Sequence, residues 1–320
     1  MRNIHLFLFL IISIFFINAN NHVFSQDNKQ NEDKYRFSLG IQSGIVYGQS
    51  RELVYPTVTK GKYLSELTWE MKPVFYLGLQ TDFNRTNLMN KPGFFASAAF
   101  KFGIPGDTGV IEDCDWHSTE NNLLTDFSSH TNRTREYYWA DILIGASIPV
   151  KSYFYIKPFL SASLMHFAFT GRDGYGIYTV NNSLKYDTFE GEIIKYKQDW
   201  FLLAAGFSIG SNILSPFLFE LFFQISPLTY CAAKDEHLHP EKIVTYADYS
   251  LWGLFMEPKL KISYKIKKID LSFEAAYRYI SDTNGQSYSD NGNYGIFLPS
   301  GKAGASLSLL DVRFYFKIIF

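Results

Sequence analysis

The sequence predicts an all-β fold, a ten-stranded antiparallel transmembrane β-barrel with long surface loops. Three observations lead to this prediction. Aromatic residues make up 18% of the 320-residue chain, which is typical of the lipid-facing band and interfacial girdles of a membrane barrel. Apolar and polar residues alternate along many segments, as they do in β-strands. After the N-terminal region, no apolar run reaches the ~18 residues of a membrane-spanning helix, so a closed barrel remains as the way to satisfy every backbone polar group in lipid.

The N-terminus predicts export. A positive charge near the start precedes an apolar run from Leu6 to Ile17, and small or polar residues follow it. This run is too short to cross a bilayer of about 30 Å as a helix, and the pattern is that of a cleaved signal peptide. We place cleavage after Ser25, with cleavage after Ala19 as the alternative. Residues 1–25 are therefore assigned to the signal peptide and residues 26–320 to a single barrel domain.

The C-terminal part of the chain carries the clearest strands. Leu260, Ile262 and Tyr264 alternate with polar residues that are mostly lysines. This period of two predicts a strand with one apolar face, although a soluble antiparallel sheet would alternate in the same way. The last segment favours the membrane barrel, because its alternation ends in the terminal Phe320. A final strand ending in Phe resembles the signal by which outer-membrane proteins are recognised for assembly.

The same pattern, followed backwards along the chain, predicts ten strands with a margin of ~2–4 residues at each boundary. They cover residues 35–47, 62–83, 94–104, 136–150, 153–171, 192–211, 217–231, 244–266, 269–281 and 302–320. Short connections near residues 151, 212 and 267 alternate with long ones over residues 104–135, 172–191 and 232–243. This alternation predicts periplasmic turns at one end of the barrel and surface loops at the other.

Charge and cysteine content narrow the function classes. The formal net charge is -1, so no strong field attracts nucleic acid and we expect no nucleic-acid partner. Cys114 and Cys231 are the two cysteines. Export to an oxidising compartment would allow them to pair, but a disulfide would have to tie opposing walls of the barrel together, so free thiols are favoured.

Two short motifs in predicted surface loops carry the candidate chemistry. Residues i and i+2 of an extended segment point the same way, so Asp113 and Asp115 present two carboxylates on one face. Asp235 and His237 present a carboxylate and an imidazole in the same manner. If the two loops face each other, Asp235 would orient His237, and His237 would take the proton of an attacking water. The Asp pair would orient that water, and one member could stay protonated and donate to a developing oxyanion.

The residues alone leave two other interpretations open. Asp-x-Asp and Asp-x-His patterns are common in polar loops, so both motifs also fit solvated loops without a chemical role. Asp235, His237 and His239 alternate on one side and could hold a metal ion. We favour an arrangement without a metal.

The chain resembles the omptins, ten-stranded outer-membrane endopeptidases of Gram-negative bacteria, over nearly all of its mature length. Several segments carry the resemblance, and their order and approximate spacing match together. These segments are Leu39-Gly40, Ser43-Gly44, Arg51–Tyr55, Leu64–Trp69, Asp113–Trp116, Thr125-Asp126, Phe169-Thr170 with Arg172, Tyr196–Gln198, Asp235–His237, Pro240 and Ile243–Tyr246.

The resemblance implies a catalytic quartet and two substrate pockets. The quartet would consist of the two Asp of the Asp-x-Asp-Trp motif and the Asp and His of the Asp-Glu-His motif, and all four are present here as Asp113, Asp115, Asp235 and His237. The family prefers to cleave between two basic residues. By motif, Glu52 would line the pocket for the residue before the scissile bond, and Asp126 the pocket for the residue after it.

The chain departs from the family at two places. Ala233 stands where omptins usually place a second acidic residue, which predicts a weaker preference for Arg or Lys before the cut. Omptins also need lipopolysaccharide bound by basic residues outside the barrel, and no other cofactor is implied. Arg172 is retained as a weak candidate for this lipid site, but His166 and Asp199 stand where arginine is expected, which predicts an altered lipid requirement.

The sequence therefore predicts an omptin-like aspartic endopeptidase in the outer membrane, with its active site facing the exterior. Its partners would be polypeptides with basic sites, dibasic sites included, and outer-membrane lipid. The alternative is a barrel without enzymatic activity that serves as an adhesin or structural protein. Retention of all four residues of the implied quartet favours the enzyme.

Overall fold

The computed structural model describes residues 34–56, 62–86, 92–117, 123–151, 153–181, 183–238, 243–292 and 296–320. The signal peptide predicted for residues 1–25 lies outside these residues, and so does His239. Within the described part of the chain, no helix is long and apolar enough to cross a membrane.

Thirteen β-strands make up the secondary structure of the described residues. They are β1 (Lys34–Tyr55), β2 (Ser65–Thr86), β3 (Gly93–Gly103), β4 (Gly106–Asp115), β5 (Asp126–Lys151), β6 (Phe154–Val180), β7 (Ser183–Ser211), β8 (Phe217–Leu238), β9 (Ile243–Leu251), β10 (Phe255–Ile266), β11 (Ile269–Ile280), β12 (Asn284–Ser289) and β13 (Leu298–Ile319).

These strands form one antiparallel sheet that closes on itself, because β1 pairs with both β2 and β13. Three pairs of consecutive strands share one position in the barrel wall. Strands β3 and β4 both lie between β2 and β5, β9 and β10 both pair with β8, and β11 and β12 both pair with β13. The thirteen strands therefore occupy ten strand positions around the barrel. The predicted ten-stranded antiparallel barrel is confirmed.

The strands extend further at one end of the barrel than the sequence predicts. Most residues assigned to the long loops over 104–135, 172–191 and 232–243 continue the strands, in β4, β5, β6, β7 and β8. Above the lipid, an outward-facing side chain need not be apolar, so the alternation that reveals a strand disappears while the backbone pairing continues. We call this end of the barrel the mouth. It is opposite to the end at which β1 begins and β13 ends.

The wall has an apolar outer face and a polar inner face at the level of the membrane. Ile41 and Leu221 point outward and are 62% and 61% exposed, whereas their chain neighbours Gln42 and Glu220 point inward and are 2% and 3% exposed. Apolar side chains outside and polar side chains inside are the reverse of the arrangement in a soluble protein, and a lipid environment requires this arrangement.

Ion pairs fill the lumen at the level of the membrane. The arginine and lysine side chains of these pairs are at most 4% exposed, and each meets a carboxylate, as buried charges must. The pairs are Arg278–Glu257, Arg313–Glu274, Lys101–Asp311 and Lys317–Asp82. The lumen is therefore packed with paired side chains.

An aromatic stack closes the lumen toward the mouth. Trp69 stacks on Tyr196 with ring centroids 4.9 Å apart and on Phe169 at 5.5 Å. All three side chains are at most 1% exposed. A molecule that enters the mouth would meet this stack as a floor, so the walls above it form a cleft that is open at one end.

Candidate active site

Four of the predicted residues lie on the walls of the mouth, on two strands that extend past the membrane. Tyr230 is the last of the exposed, outward-facing aromatic residues of β8, and Asp235 lies five residues further along the strand. With a rise of about 3.3 Å per residue and a tilted strand, this places Asp235 roughly 12 Å beyond the apolar band. On β4, Ile111 is fully buried and Glu112 is exposed, so alternation along the strand gives Asp113 and Asp115 inward-facing positions.

Asp235 and His237 form a close pair. His237 Nε2 lies 2.5 Å from Asp235 Oδ2, and the Asp235 side chain is 2% exposed whereas that of His237 is 39% exposed. Burial works against a charged imidazole, but the carboxylates of Asp235, Asp113 and Asp115 outweigh it and raise the pKa of His237 to about 9. The imidazole thus has a buried carboxylate on one side and an open mouth on the other.

The Asp pair of β4 faces the same space. Burial, with the neighbouring charges of Asp115 and Asp235, raises the pKa of Asp113 to about 7, and His237 partly offsets this rise. Burial also raises the pKa of Asp115. Asp113 Oδ1 accepts a hydrogen bond from Ser65 Oγ at 3.4 Å. The charges of Asp113 and Asp115 act on His237, and the charge of Asp235 acts on Asp113, so the two motifs face the same cleft.

This arrangement can support hydrolysis. A neutral His237 can accept a proton from a water molecule, and Asp235 can stabilise the imidazolium that results. A carboxyl group whose pKa is raised into the neutral range can stay protonated and donate a hydrogen bond to a developing oxyanion. Asp113 has that property, so the two walls offer a base and an acid to the same water-accessible space.

Glu52 lies on β1 and contributes another buried carboxylate to the mouth. Its side chain is 3% exposed, and its Oε2 atom has no hydrogen-bond partner among the described residues. Burial raises its pKa well above the usual range, and the charges of Asp235, Asp248 and Asp113 add to the rise. The register places Glu52 in line with Leu67 of β2 and Asp113 of β4, so Glu52 borders the same cleft as the predicted catalytic residues.

Asp126 begins β5 and lies directly opposite Asp115 in the register. Its Oδ1 accepts a hydrogen bond from the backbone N–H of Thr179 at 3.0 Å, and Thr125 Oγ1 donates to its Oδ2 at 3.3 Å. His117 Nε2 lies 3.4 Å from the same oxygen. These contacts fix the carboxylate at the rim, on the side of the cleft formed by the Asp pair.

One group of side chains in the described residues could hold a metal ion. The ligand atoms of Asp115, His117 and Asp126 lie within 4.8 Å of one another. The metal site considered from the sequence is a different one, formed by Asp235, His237 and His239, and His239 lies outside the described residues. An imidazole and two carboxylates suit a divalent cation, but His117 is exposed and a polar rim without a cation has the same composition.

The expected lipid site is partly neutralised by carboxylates. Arg172 Nη2 lies 2.9 Å from Asp107 Oδ2, and Arg133 Nη1 approaches the same carboxylate at 3.5 Å. At the position where arginine was expected, His166 Nδ1 lies 2.7 Å from Asp199 Oδ1 and its Nε2 lies 3.3 Å from Glu136 Oε2.

Two further residues at the cleft were not predicted from the sequence. They are Asp248 of β9, on which the charge of Asp235 acts, and Tyr178 of β6, on which the charges of Asp113 and Asp115 act. Burial, together with Asp113 and the other nearby carboxylates, raises the pKa of Tyr178 to about 12, so its hydroxyl remains a hydrogen-bond donor. Neither residue lies in a motif of its own, and only the pairing of the strands brings them to the site.

The two cysteines lie on different strands and different faces. Cys114 is half-buried on β4 between the two inward-facing Asp residues, and Cys231 is buried on β8. Both are free thiols, as the sequence analysis favoured.

Comparisons with known proteins show which proteins this chain resembles. The sequence model of the Omptin family matches residues 33–311. The crystal structure of the outer membrane protease OmpT from Escherichia coli is similar, with 19% sequence identity, coverage of 94% of this chain and 99% of that chain, and a TM-score of 0.80. The toluene transporter TodX from Pseudomonas putida matches with 10% identity over 90% of both chains, but its TM-score of 0.27 does not indicate a shared fold. No curated protein matches the sequence.

Proposed function

Since the chain belongs to the omptin family, we propose that it is an outer-membrane endopeptidase that cleaves polypeptides at basic sites, with its active site facing the exterior. One observation carries the proposal. Asp113 and Asp115 on β4 and Asp235 and His237 on β8 lie on two separate strands, and their charges act on one another above a packed lumen. A barrel that served only as an adhesin would have no need of an Asp–His pair with a buried carboxylate opposite two carboxyl groups.

The proposed reaction uses a water molecule as the nucleophile. Neutral His237 takes a proton from the water as its oxygen attacks the carbonyl carbon of the scissile bond, and Asp235 stabilises the imidazolium. The protonated member of the Asp pair donates a hydrogen bond to the oxyanion, a role that the raised pKa of Asp113 supports. When the tetrahedral intermediate collapses, the C–N bond breaks and His237 returns its proton to the leaving amine.

Substrate preference would come from the remaining carboxylates of the cleft. Glu52 would meet the side chain before the scissile bond, and Asp126 the side chain after it. The two lie on different strands, on either side of the quartet, so a peptide that crosses the cleft would present two consecutive side chains to them. A basic pair would offset the negative charge of both pockets.

Outer-membrane lipid is the second proposed partner. Lipopolysaccharide would bind through Arg172 and Arg133 on the outer face, where each guanidinium is now paired with Asp107. The carboxylates beside His166 would repel lipid phosphates. We therefore propose that lipopolysaccharide contributes to activity and that its contribution is modest.

The test of the proposed function is a cleavage assay. The mature chain is refolded in detergent with and without lipopolysaccharide, and cleavage of a quenched fluorescent peptide containing Arg-Arg is followed. We expect turnover by the wild type and none by His237→Ala. Glu236→Gln is the matched control, because Glu236 lies between the two candidates on β8 but pairs with Lys234 instead of His237. Turnover by His237→Ala at the wild-type rate would refute the proposed mechanism.

A further inference from the structure

Asp248 is a buried carboxylate whose environment calls for a cation. It lies on β9, where the register places it directly opposite Ala233 of β8. The residue is 5% exposed, and its Oδ1 atom has no hydrogen-bond partner among the described residues. Ser287 of the neighbouring strand β12 lies directly opposite Asp248 in the register, and its hydroxyl favours the charged carboxylate. This single polar contact leaves most of the acceptor capacity of Asp248 unused.

Glu52 and Asp235 have the same deficiency. Glu52 Oε2 and Asp235 Oδ1 are both buried and also lack hydrogen-bond partners among the described residues. In addition to burial, the charge of Asp248 raises the pKa of Glu52, and the charge of Asp235 raises the pKa of Asp248. The register places Asp248 opposite Ala233, two residues before Asp235 on the same face of β8, and it places Glu52 in line with Asp113 of the facing wall. The three carboxylates therefore border the same cleft and repel one another.

A cation that enters this space relieves two unfavourable features of the buried carboxylates. It provides hydrogen-bond donors for oxygen atoms that have none, and it compensates the mutual repulsion of the carboxylates. A neutral side chain of the same size would displace water and leave the oxygens unsatisfied, which costs free energy. The space therefore discriminates by charge.

We infer that Asp248 is the second acid of the Glu52 pocket, and that the two residues together select an arginine or lysine side chain before the scissile bond. The inference rests on the proposed function. It changes the expectation drawn from Ala233, because the carboxylate that is missing from β8 is supplied by the neighbouring strand. The small side chain of Ala233, directly opposite Asp248, leaves room for the carboxylate.

The test compares two peptides that differ by one charge. One quenched peptide carries arginine before the cut and the other carries citrulline, which has nearly the same shape but no charge. The ratio of their kcat/KM values measures charge discrimination. For Asp248→Asn we expect this ratio to fall by at least about tenfold, mainly through slower cleavage of the arginine peptide. Glu236→Gln, on the outer face of the adjacent strand, should leave the ratio unchanged.

A second variant tests whether a carboxylate at position 233 can replace the carboxylate of Asp248 in the discrimination for arginine. Adding Ala233→Asp to Asp248→Asn moves the carboxylate across the strand pair to the facing position. We expect the double variant to regain most of the discrimination for arginine. Heat-modifiable migration in gels verifies that every variant has folded. An unchanged arginine-to-citrulline ratio in folded Asp248→Asn would overturn the inference, and so would an equal loss of activity on both peptides.

A binding measurement separates this inference from the proposed function. In the His237→Ala background, fluorescence anisotropy can report binding of the labelled arginine and citrulline peptides without any cleavage. We expect the arginine peptide to bind more tightly, and the difference to shrink when Asp248→Asn is added. If the wild type cleaves neither peptide but this difference is found, the proposed function fails and the cation pocket stands. If binding shows no dependence on Asp248, the pocket is refuted.

Discussion

Replacement of Asp235 by Asn tests the proposed base and its partner together. Burial disfavours a charged His237, but the neighbouring carboxylates, with Asp235 contributing most, raise its pKa to about 9. An imidazole with this pKa is neutral in only about 1% of free molecules at pH 7. If neutral His237 is the base and protonated Asp113, with its pKa of about 7, donates to the oxyanion, kcat/KM of the wild type should rise up to pH 7, stay level between about 7 and 9, and fall at higher pH. In Asp235→Asn the midpoint of this rise should move to lower pH, because burial then dominates.

The same substitution should lower the maximal rate. An asparagine side chain in place of Asp235 cannot stabilise the imidazolium that forms in the transition state, and its amide can hold the imidazole in the unproductive tautomer. Loss of this function in an Asp–His pair typically costs about 10⁴-fold in kcat. We therefore expect a fall in kcat of about 10³- to 10⁴-fold, even though a larger fraction of His237 is neutral at pH 7.

The assay is a series of kcat/KM measurements from pH 5 to pH 10 with one Arg-Arg peptide. The kcat/KM profile reports the pKa of groups in the free enzyme, so it can be compared directly with the environment of His237. Glu236→Gln serves again as the control and should keep the wild-type profile. An Asp235→Asn profile whose midpoint equals that of the wild type would show that His237 is not the titrating base, whatever the fall in rate.

Three further predictions follow from the site and the wall. Asp126→Asn should reduce the preference for a basic residue after the cut by about tenfold and leave the preference before it unchanged, as peptide pairs varied at either position would show. Omission of lipopolysaccharide should lower kcat/KM by less than about tenfold, and Arg172→Ala should remove what stimulation there is; a loss of all activity without lipid would contradict this. Deletion of Phe320, whose backbone N–H donates to Phe37 O at 2.8 Å, should lower outer-membrane levels but not the kcat of molecules that fold.

The barrel could be predicted from the sequence because lipid imposes a strict pattern on the wall. Every outward side chain in the membrane must be apolar, so Leu260, Ile262 and Tyr264 mark their strand without any knowledge of its neighbours. The extension of the strands beyond the membrane could not be predicted in this way. In that part of the wall both faces of a strand contact water or protein, so apolar and polar residues need not alternate. The sequence of β4 therefore resembles a polar loop, although the strand pairs with β2 and β5.

The candidate site was predictable where its chemistry lies within one strand. Alternation alone places Asp113 beside Asp115 and Asp235 beside His237 on one face. Asp248 was not predictable, because its role depends on a register set by the whole β8–β9 pair. A shift of one residue would point its side chain at the lipid side instead of the cleft. The sequence near Ala233 therefore indicates the loss of an acid, and only the strand pairing reveals a carboxylate on the opposite strand. In the proposed pocket, the cleft keeps its negative charge although the residue that carries it lies on a different strand.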